Sequence, residues 1–111
     1  MHGITTHVLD LSSGQPATGV AVVLERADDG GWARVGSALT DADGRVSEAF
    51  RMPPAAGRYR LTFAIGAWFA ARGIESFHPE VAVEFEVREA GRHHHVPLLV
   101  SPFGYTTYRG T

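Results

Sequence analysis

Three consecutive imidazoles, His93-His94-His95, run straight into the apolar stretch Val96-Pro97-Leu98-Leu99-Val100. Imidazole is the side chain whose ordinary pKa, about 6.5, lets it carry protons near neutral pH. Read as a strand, the segment puts His93, His95, Pro97 and Leu99 on one face and His94, Val96, Leu98 and Val100 on the other. That parity makes the triplet a poor metal site, because only two ligands point the same way and a third must come from elsewhere. Three further groups have useful chemistry: His7 in an amphipathic segment near the start, Arg45 just beyond Gly44, and the Tyr108-Arg109 pair near the end. Each also has a plain alternative. His7 reads equally as a half-exposed strand histidine, Arg45 as a solvated turn residue, and Tyr108-Arg109 as an aromatic strand end carrying a charge. No G-x-S-x-G, P-loop or H-E-x-x-H pattern is present.

The elements that must position these groups are short strands. Ile4 to Asp10 alternates, with Ile4, Thr6, Val8 and Asp10 on one side and Thr5, His7 and Leu9 on the other. Gly19 to Arg26 is a near-continuous apolar run, the pattern of a strand covered on both faces. Asp28-Asp29-Gly30-Gly31 signals a hairpin into Trp32 to Leu39. After the polar turn Thr40-Asp41-Ala42-Asp43-Gly44, a short strand is expected over Val46 to Phe50. Tyr59, Leu61, Phe63 and Ile65 alternate with Arg58, Arg60, Thr62 and Ala64, and Val81 to Val87 alternates in the same way. Gly66 to Arg72 is the one helical candidate, with Gly73 as its stop signal. Ser101-Pro102-Phe103-Gly104 is a turn, and Tyr105 to Arg109 should return antiparallel. Seven to eight short strands and one short helix define an all-β antiparallel sandwich of Greek-key type.

Composition bounds what such a domain does. At 111 residues the chain is one domain, 1–111, with room for a single core. A net charge of −2 gives no electrostatic case for nucleic acid or a membrane surface. All the basic residues are Arg, so Schiff-base chemistry on a lysine is excluded, and the absence of Cys excludes thiolate nucleophiles and thiolate metal sites. Residues 1–10 carry neither a basic nor an apolar leader region, and no window approaches a membrane span, so a cytoplasmic location is expected.

Three segments together resemble the 5-hydroxyisourate hydrolases of the transthyretin-like family. They are Thr6-His-Val-Leu-Asp10 followed by Gly14-x-Pro16-Ala17, then Thr40-Asp-x-Asp-Gly-Arg45, and His93-x-His95-Val-Pro-Leu-Leu-x-Ser-Pro102 continuing through Tyr105-x-Thr-Tyr-Arg-Gly110. The spacing is kept from residue 4 to the end, and the Tyr-Arg-Gly element differs from the hormone-carrying transthyretins. The resemblance implies a transthyretin-like fold and a homotetramer, a dimer of dimers, with sites in the channel between dimers. It places catalytic positions on His7, Arg45 and His95, and substrate-binding positions on Tyr108, Arg109, Gly110 and Thr111. It implies hydrolysis of the small molecule 5-hydroxyisourate to 2-oxo-4-hydroxy-4-carboxy-5-ureidoimidazoline, with no metal or other cofactor.

Under that resemblance one imidazole, His7 or His95, serves as general base, and Arg45 holds the substrate anion. Two positions depart from the pattern. Thr111 stands where the family has Ser, and His94 stands where it has Tyr. His94 is expected to affect packing rather than chemistry. The rival function is a carrier binding a small aromatic ligand in the same channel. A carrier has no evident use for His7, Arg45, His95 and Tyr108 together. A structural or carbohydrate-associated module is a third reading, one that would favour a leader or neighbouring domains.

Overall fold

The structure, a computed structural model, describes residues 3–111; Met1 and His2 of the expected 1–111 domain lie outside them. Ten elements follow in chain order: β1 (Ile4–Asp10), β2 (Gln15–Pro16), β3 (Ala21–Asp28), β4 (Gly31–Leu39), β5 (Arg45–Val46), β6 (Gly57–Phe63), α1 (Ile65–Ala70), β7 (Val81–Val87), β8 (His94–Ser101) and β9 (Gly104–Thr107). They form two facing sheets. One is five-stranded, ordered β2-β1-β8-β9 with β5 also on β1, and the other is four-stranded, ordered β4-β3-β6-β7.

Alternation along the strands explains the layering. Ile4 and Val8 of β1, Val22 and Leu24 of β3, Tyr59, Leu61 and Phe63 of β6, Val81, Val83 and Val87 of β7 and Val96, Leu98 and Val100 of β8 all turn inward and are buried. Their polar neighbours face out. On the second sheet Arg60 pairs with Glu25 at 2.8 Å and lies over the Trp32 ring at 4.3 Å, an ion pair covering an aromatic on the outer face. Helix α1 seats Trp68 and Phe69 against the core, and the Trp68 indole N–H donates to the Thr18 carbonyl at 2.7 Å. The expected stop at Gly73 is present. Gly73 has a φ of +72°, its N–H reaches the Ala70 carbonyl, and the Ile74 N–H reaches back to Phe69, so the last carbonyls are satisfied in a Schellman turn.

The structure departs from the sequence expectations in its details, with nine strands in place of seven to eight because the short pairings β2 and β5 add to the sheet edge. The apolar run of β3 is buried on one face only, with Ala21 exposed and Val23 partly so. Its β-branched residues suit the pleat of a half-covered sheet, and hydropathy alone does not separate that case from a fully covered strand. The strand expected over Val46 to Phe50 shortens to β5. Beyond Val46 the chain leaves the ladder, buries the Phe50 ring and returns the Phe50 carbonyl to the Ile4 N–H at 3.0 Å. Within the otherwise antiparallel sandwich, β1 and β8 run parallel and pair along the whole of β1. A parallel pair needs a long crossover rather than a tight turn, and nearly the entire chain lies between these two strands.

That parallel pair is the frame of the site. It puts the second residue of β1 beside the second residue of β8, Thr5 opposite His95, and His7 opposite Pro97.

Candidate functional site

His7 sits in the middle of β1 with a neighbour on each side. Arg45 of β5 is its register partner on one edge and Pro97 of β8 on the other. Cross-strand partners share a face, and residues two apart on a strand share it too. Arg45, His7, Thr5, His95 and Pro97 therefore occupy one face of the five-stranded sheet, the face turned away from the core. His94, Val96, Leu98 and Val100 form the opposite, buried side of β8. His94 is 4% exposed, and its Nδ1 lies 2.8 Å from the Arg92 carbonyl, so it packs inward as its parity requires.

Arg45 is held by the turn before it. The Asp41 carboxylate accepts from the Asp43 and Arg45 N–H groups, both at 2.9 Å, and the Arg45 carbonyl accepts from the Asp41 N–H at 2.9 Å. Gly44 closes the turn at a φ of +75°, and a Cβ there would sit 2.4 Å from the Val8 carbonyl oxygen. Only glycine fits both the angle and the close approach to β1. Arg45 itself is exposed and enters no ion pair among the described residues. Its guanidinium therefore keeps its full set of donors for an incoming anion.

His95 is the most constrained member. Its Nδ1 lies 2.8 Å from the Thr5 hydroxyl, and the same hydroxyl lies 2.8 Å from Nε2 of His93. Its Nε2 has no hydrogen-bond partner among the described residues. Burial holds its pKa below the ordinary histidine value, and the nearby Arg45, His93 and His7 push it the same way against an opposing hydrogen bond to the Thr5 backbone. The neutral imidazole, the form able to accept a proton, is thereby favoured at neutral pH.

The tail closes over this ring. The β8–β9 hairpin turns as expected, with Ser101 opposite Gly104, and the Thr107 hydroxyl donates to the Pro97 carbonyl at 2.8 Å. Tyr108 and Arg109 leave the ladder, and Gly110 returns to it, its N–H donating to the His95 carbonyl at 2.8 Å. Gly110 lies so close to the imidazole that a Cβ would fall 2.4 Å from Cδ2 of His95. Gly110→Ala should therefore displace the ring. Because misplacement of a reacting group by about 1 Å can cost ~10²-fold, turnover should fall by roughly that factor while thermal unfolding moves little. Parallel kinetics and a melt check this, and an Ala variant with normal turnover would contradict the contact.

The sequence-expected residues are not all brought to one place. His7, Arg45 and His95 share the outer face. Tyr108 and Arg109 instead line, with His95, a cleft of about 580 Å³ whose far wall carries Arg58, Glu84 and Arg88. That cleft contains neither His7 nor Arg45, so His95 stands between the two surfaces. Thr111 follows Gly110 and is exposed. Two residues absent from the expected set belong to it by contact: Thr5, 3% exposed, and His93. Their parity with His7 and His95 is the sequence signal that could have found them.

The molecule belongs to the class of two-sheet β-sandwiches, and it gathers His7, His95 and Arg45, a guanidinium in no ion pair among the described residues, on one outward sheet face. Comparison places it more closely. The HIUase/Transthyretin family model matches residues 4–110, and the chain belongs to that family. It is 46% identical to a 5-hydroxyisourate hydrolase of Caulobacter vibrioides across 100% of both chains. Among solved structures it superposes on Klebsiella pneumoniae 5-hydroxyisourate hydrolase with a TM-score of 0.85 and 40% identity, covering 98% of this chain and 99% of that one. Sea bream transthyretin in complex with thyroxine matches at a TM-score of 0.90 and 34% identity, covering 98% and 95%.

Proposed function

We propose that this protein hydrolyses 5-hydroxyisourate to 2-oxo-4-hydroxy-4-carboxy-5-ureidoimidazoline, a step in urate degradation carried out in the cytoplasm. The observation that carries the reading is the convergence of His7, Arg45 and His95, whose pKa burial holds below the ordinary value, on one outward sheet face. Family membership and the hydrolase relatives support the same substrate.

In the reaction, Nε2 of His95 takes a proton from a water molecule as its oxygen adds to the carbonyl carbon of the six-membered ring's amide. The carbonyl oxygen becomes an oxyanion, and the Arg45 guanidinium donates to it. The C–N bond of the amide then breaks. The leaving nitrogen takes the proton back from the His95 imidazolium, which restores the neutral base and leaves a carboxylic acid, and that acid releases its proton to solvent to become the carboxylate. His7, next to Arg45 in register, orients the substrate ring from the other side. Tyr108, Arg109 and Thr111 bind substrate from the tail, and Gly110 sets the position of His95.

The His7–Arg45–His95 face is open in a single chain. A homotetramer, a dimer of dimers, would bring two such sheets together and enclose the face in a channel, with each site drawing on more than one subunit. The sea bream transthyretin likeness makes a carrier the alternative occupant of the same channel.

One experiment separates the two. In water enriched in ¹⁸O, product formed faster than the spontaneous reaction should carry one solvent oxygen in its new carboxylate, and the acceleration should fade as dilution disperses the tetramer. Product formed only at the spontaneous rate, from protein that retains thyroxine on dialysis, would make it a carrier instead.

A further inference from the structure

Thr5 belongs to none of the assigned roles, yet its hydroxyl lies within hydrogen-bond distance of both imidazoles of the His93–His95 pair. The two rings lie with centroids 6.4 Å apart and planes inclined by 28°, and Thr5 Oγ1 stands 2.8 Å from Nε2 of one and 2.8 Å from Nδ1 of the other. The β1–β8 register fixes this placement, because Thr5 pairs directly with His95. At 3% exposure Thr5 is among the few polar residues the fold buries, so water has little access to compete for the hydroxyl.

A hydroxyl carries one hydrogen, and this restricts the three groups together. If Thr5 donates to Nε2 of His93, then Nδ1 of His95 must donate to Thr5, and both neutral rings carry their hydrogen on Nδ1. If Thr5 donates to His95, both carry it on Nε2. Of these two arrangements, in each of which Thr5 donates to one of the rings, only the first leaves the lone pair of His95 on Nε2, the nitrogen with no partner among the described residues.

We propose that Thr5 is a positioning residue and proton relay that couples His93 to His95, keeping Nε2 of His95 basic and passing the acquired charge to His93. This rests on the hydrolase reading above and deepens it. When Nε2 of His95 takes the proton of water, its Nδ1–H bond breaks and a new O–H bond forms at Thr5. The Thr5 hydroxyl simultaneously gives its original hydrogen to Nε2 of His93. The result is a neutral His95 with its hydrogen on Nε2 and a doubly protonated His93. The reverse shift returns the proton for delivery to the leaving nitrogen. No atom or charge is created, and no further reactant is needed. The position of the charge matters because the Arg45 cation disfavours charge on His95, and His93 lies two residues further along the chain from the His7–Arg45–Pro97 row than His95 does.

The titratable and charged groups around His95 are Arg45 from β5, His7 from β1 and His93 just before its own strand, with Tyr108, Arg109, His94, Arg58, Glu84, Glu86 and Arg88 at the neighbouring cleft. The test therefore reads the rings themselves rather than a rate alone. In ¹⁵N-histidine protein without substrate, two-bond ¹H–¹⁵N spectra above the titration range should show His93 and His95 both as Nδ1–H tautomers. Thr5→Val should release the coupling, and Thr5→Ser should keep it. Opposite tautomers on the two rings in the wild type, each donating to Thr5, would overturn the relay whether or not the protein is a hydrolase.

With 5-hydroxyisourate, Thr5→Val should lower kcat by about 10–100-fold, by analogy with loss of the partners that orient metal-ligating histidines. KM should stay near wild type and the acid limb of the pH profile should move, while Thr5→Ser behaves as wild type. A Thr5→Val variant with unchanged kcat and pH profile would also overturn it.

Discussion

His95→Asn is expected to lower kcat/KM for 5-hydroxyisourate by ~10²–10⁴-fold, the usual range for a general base, with thermal unfolding close to wild type. The asparagine amide can still reach the Thr5 hydroxyl in place of Nδ1, and the Gly110 bridge is made by backbone atoms. What disappears is the basic Nε2. In the wild type, kcat/KM should fall on the acid side with a midpoint below about 6.5, because burial and three neighbouring cations or imidazoles hold the His95 pKa down.

The stability sign follows from the same depression. The unfolded chain binds the His95 proton at a higher pH than the folded chain does. Its contribution is therefore complete above the unfolded value and is lost as pH falls through the folded one. His95→Asn should flatten that part of the stability profile. Retention of wild-type turnover by this variant would remove the base from His95 and send the role to His7.

Arg45→Lys should cost nearly as much. Losing one donor to a developing oxyanion typically costs ~10²–10³-fold in kcat, and lysine offers a point charge in place of a planar, bidentate fork. The backbone that presents residue 45 is set by Asp41 and Gly44, so the change should leave the turn intact. Steady-state kinetics on folded Arg45→Lys protein read this directly. Full turnover would mean that charge alone suffices and that the fork contributes nothing.

The contrast between these two residues and Tyr108-Arg109 shows how far strand parity reaches. Alternation by itself places His7 and His95 on outward faces and His94 inward, since each lies in a strand with a strong apolar partner face. It also makes the Gly73 stop and the Ser101–Gly104 turn readable, because those depend on local backbone chemistry alone. The parallel β1–β8 pairing is not local. No turn signal joins strands at opposite ends of the chain, so the Thr5–His95 register, and with it the bridge to His93, is decided by the packing of the whole sandwich. The same limit applies to the tail. Its residues look like a continuing strand, but Tyr108 and Arg109 leave the ladder and turn into the cleft, and only Gly110 rejoins, where no side chain would fit against the imidazole. The spacing of Thr40 to Arg45 gives the Asp41-braced turn, yet nothing in it says that Arg45 will lie beside His7.

The most direct test of the central claim generates 5-hydroxyisourate in situ from urate with urate oxidase and follows its ultraviolet decay with no protein, with wild type and with His95→Asn. Faster decay with wild type and near-spontaneous decay with the variant is the predicted result. Spontaneous-rate decay with well-folded wild-type protein, or equal acceleration by both proteins, would contradict it.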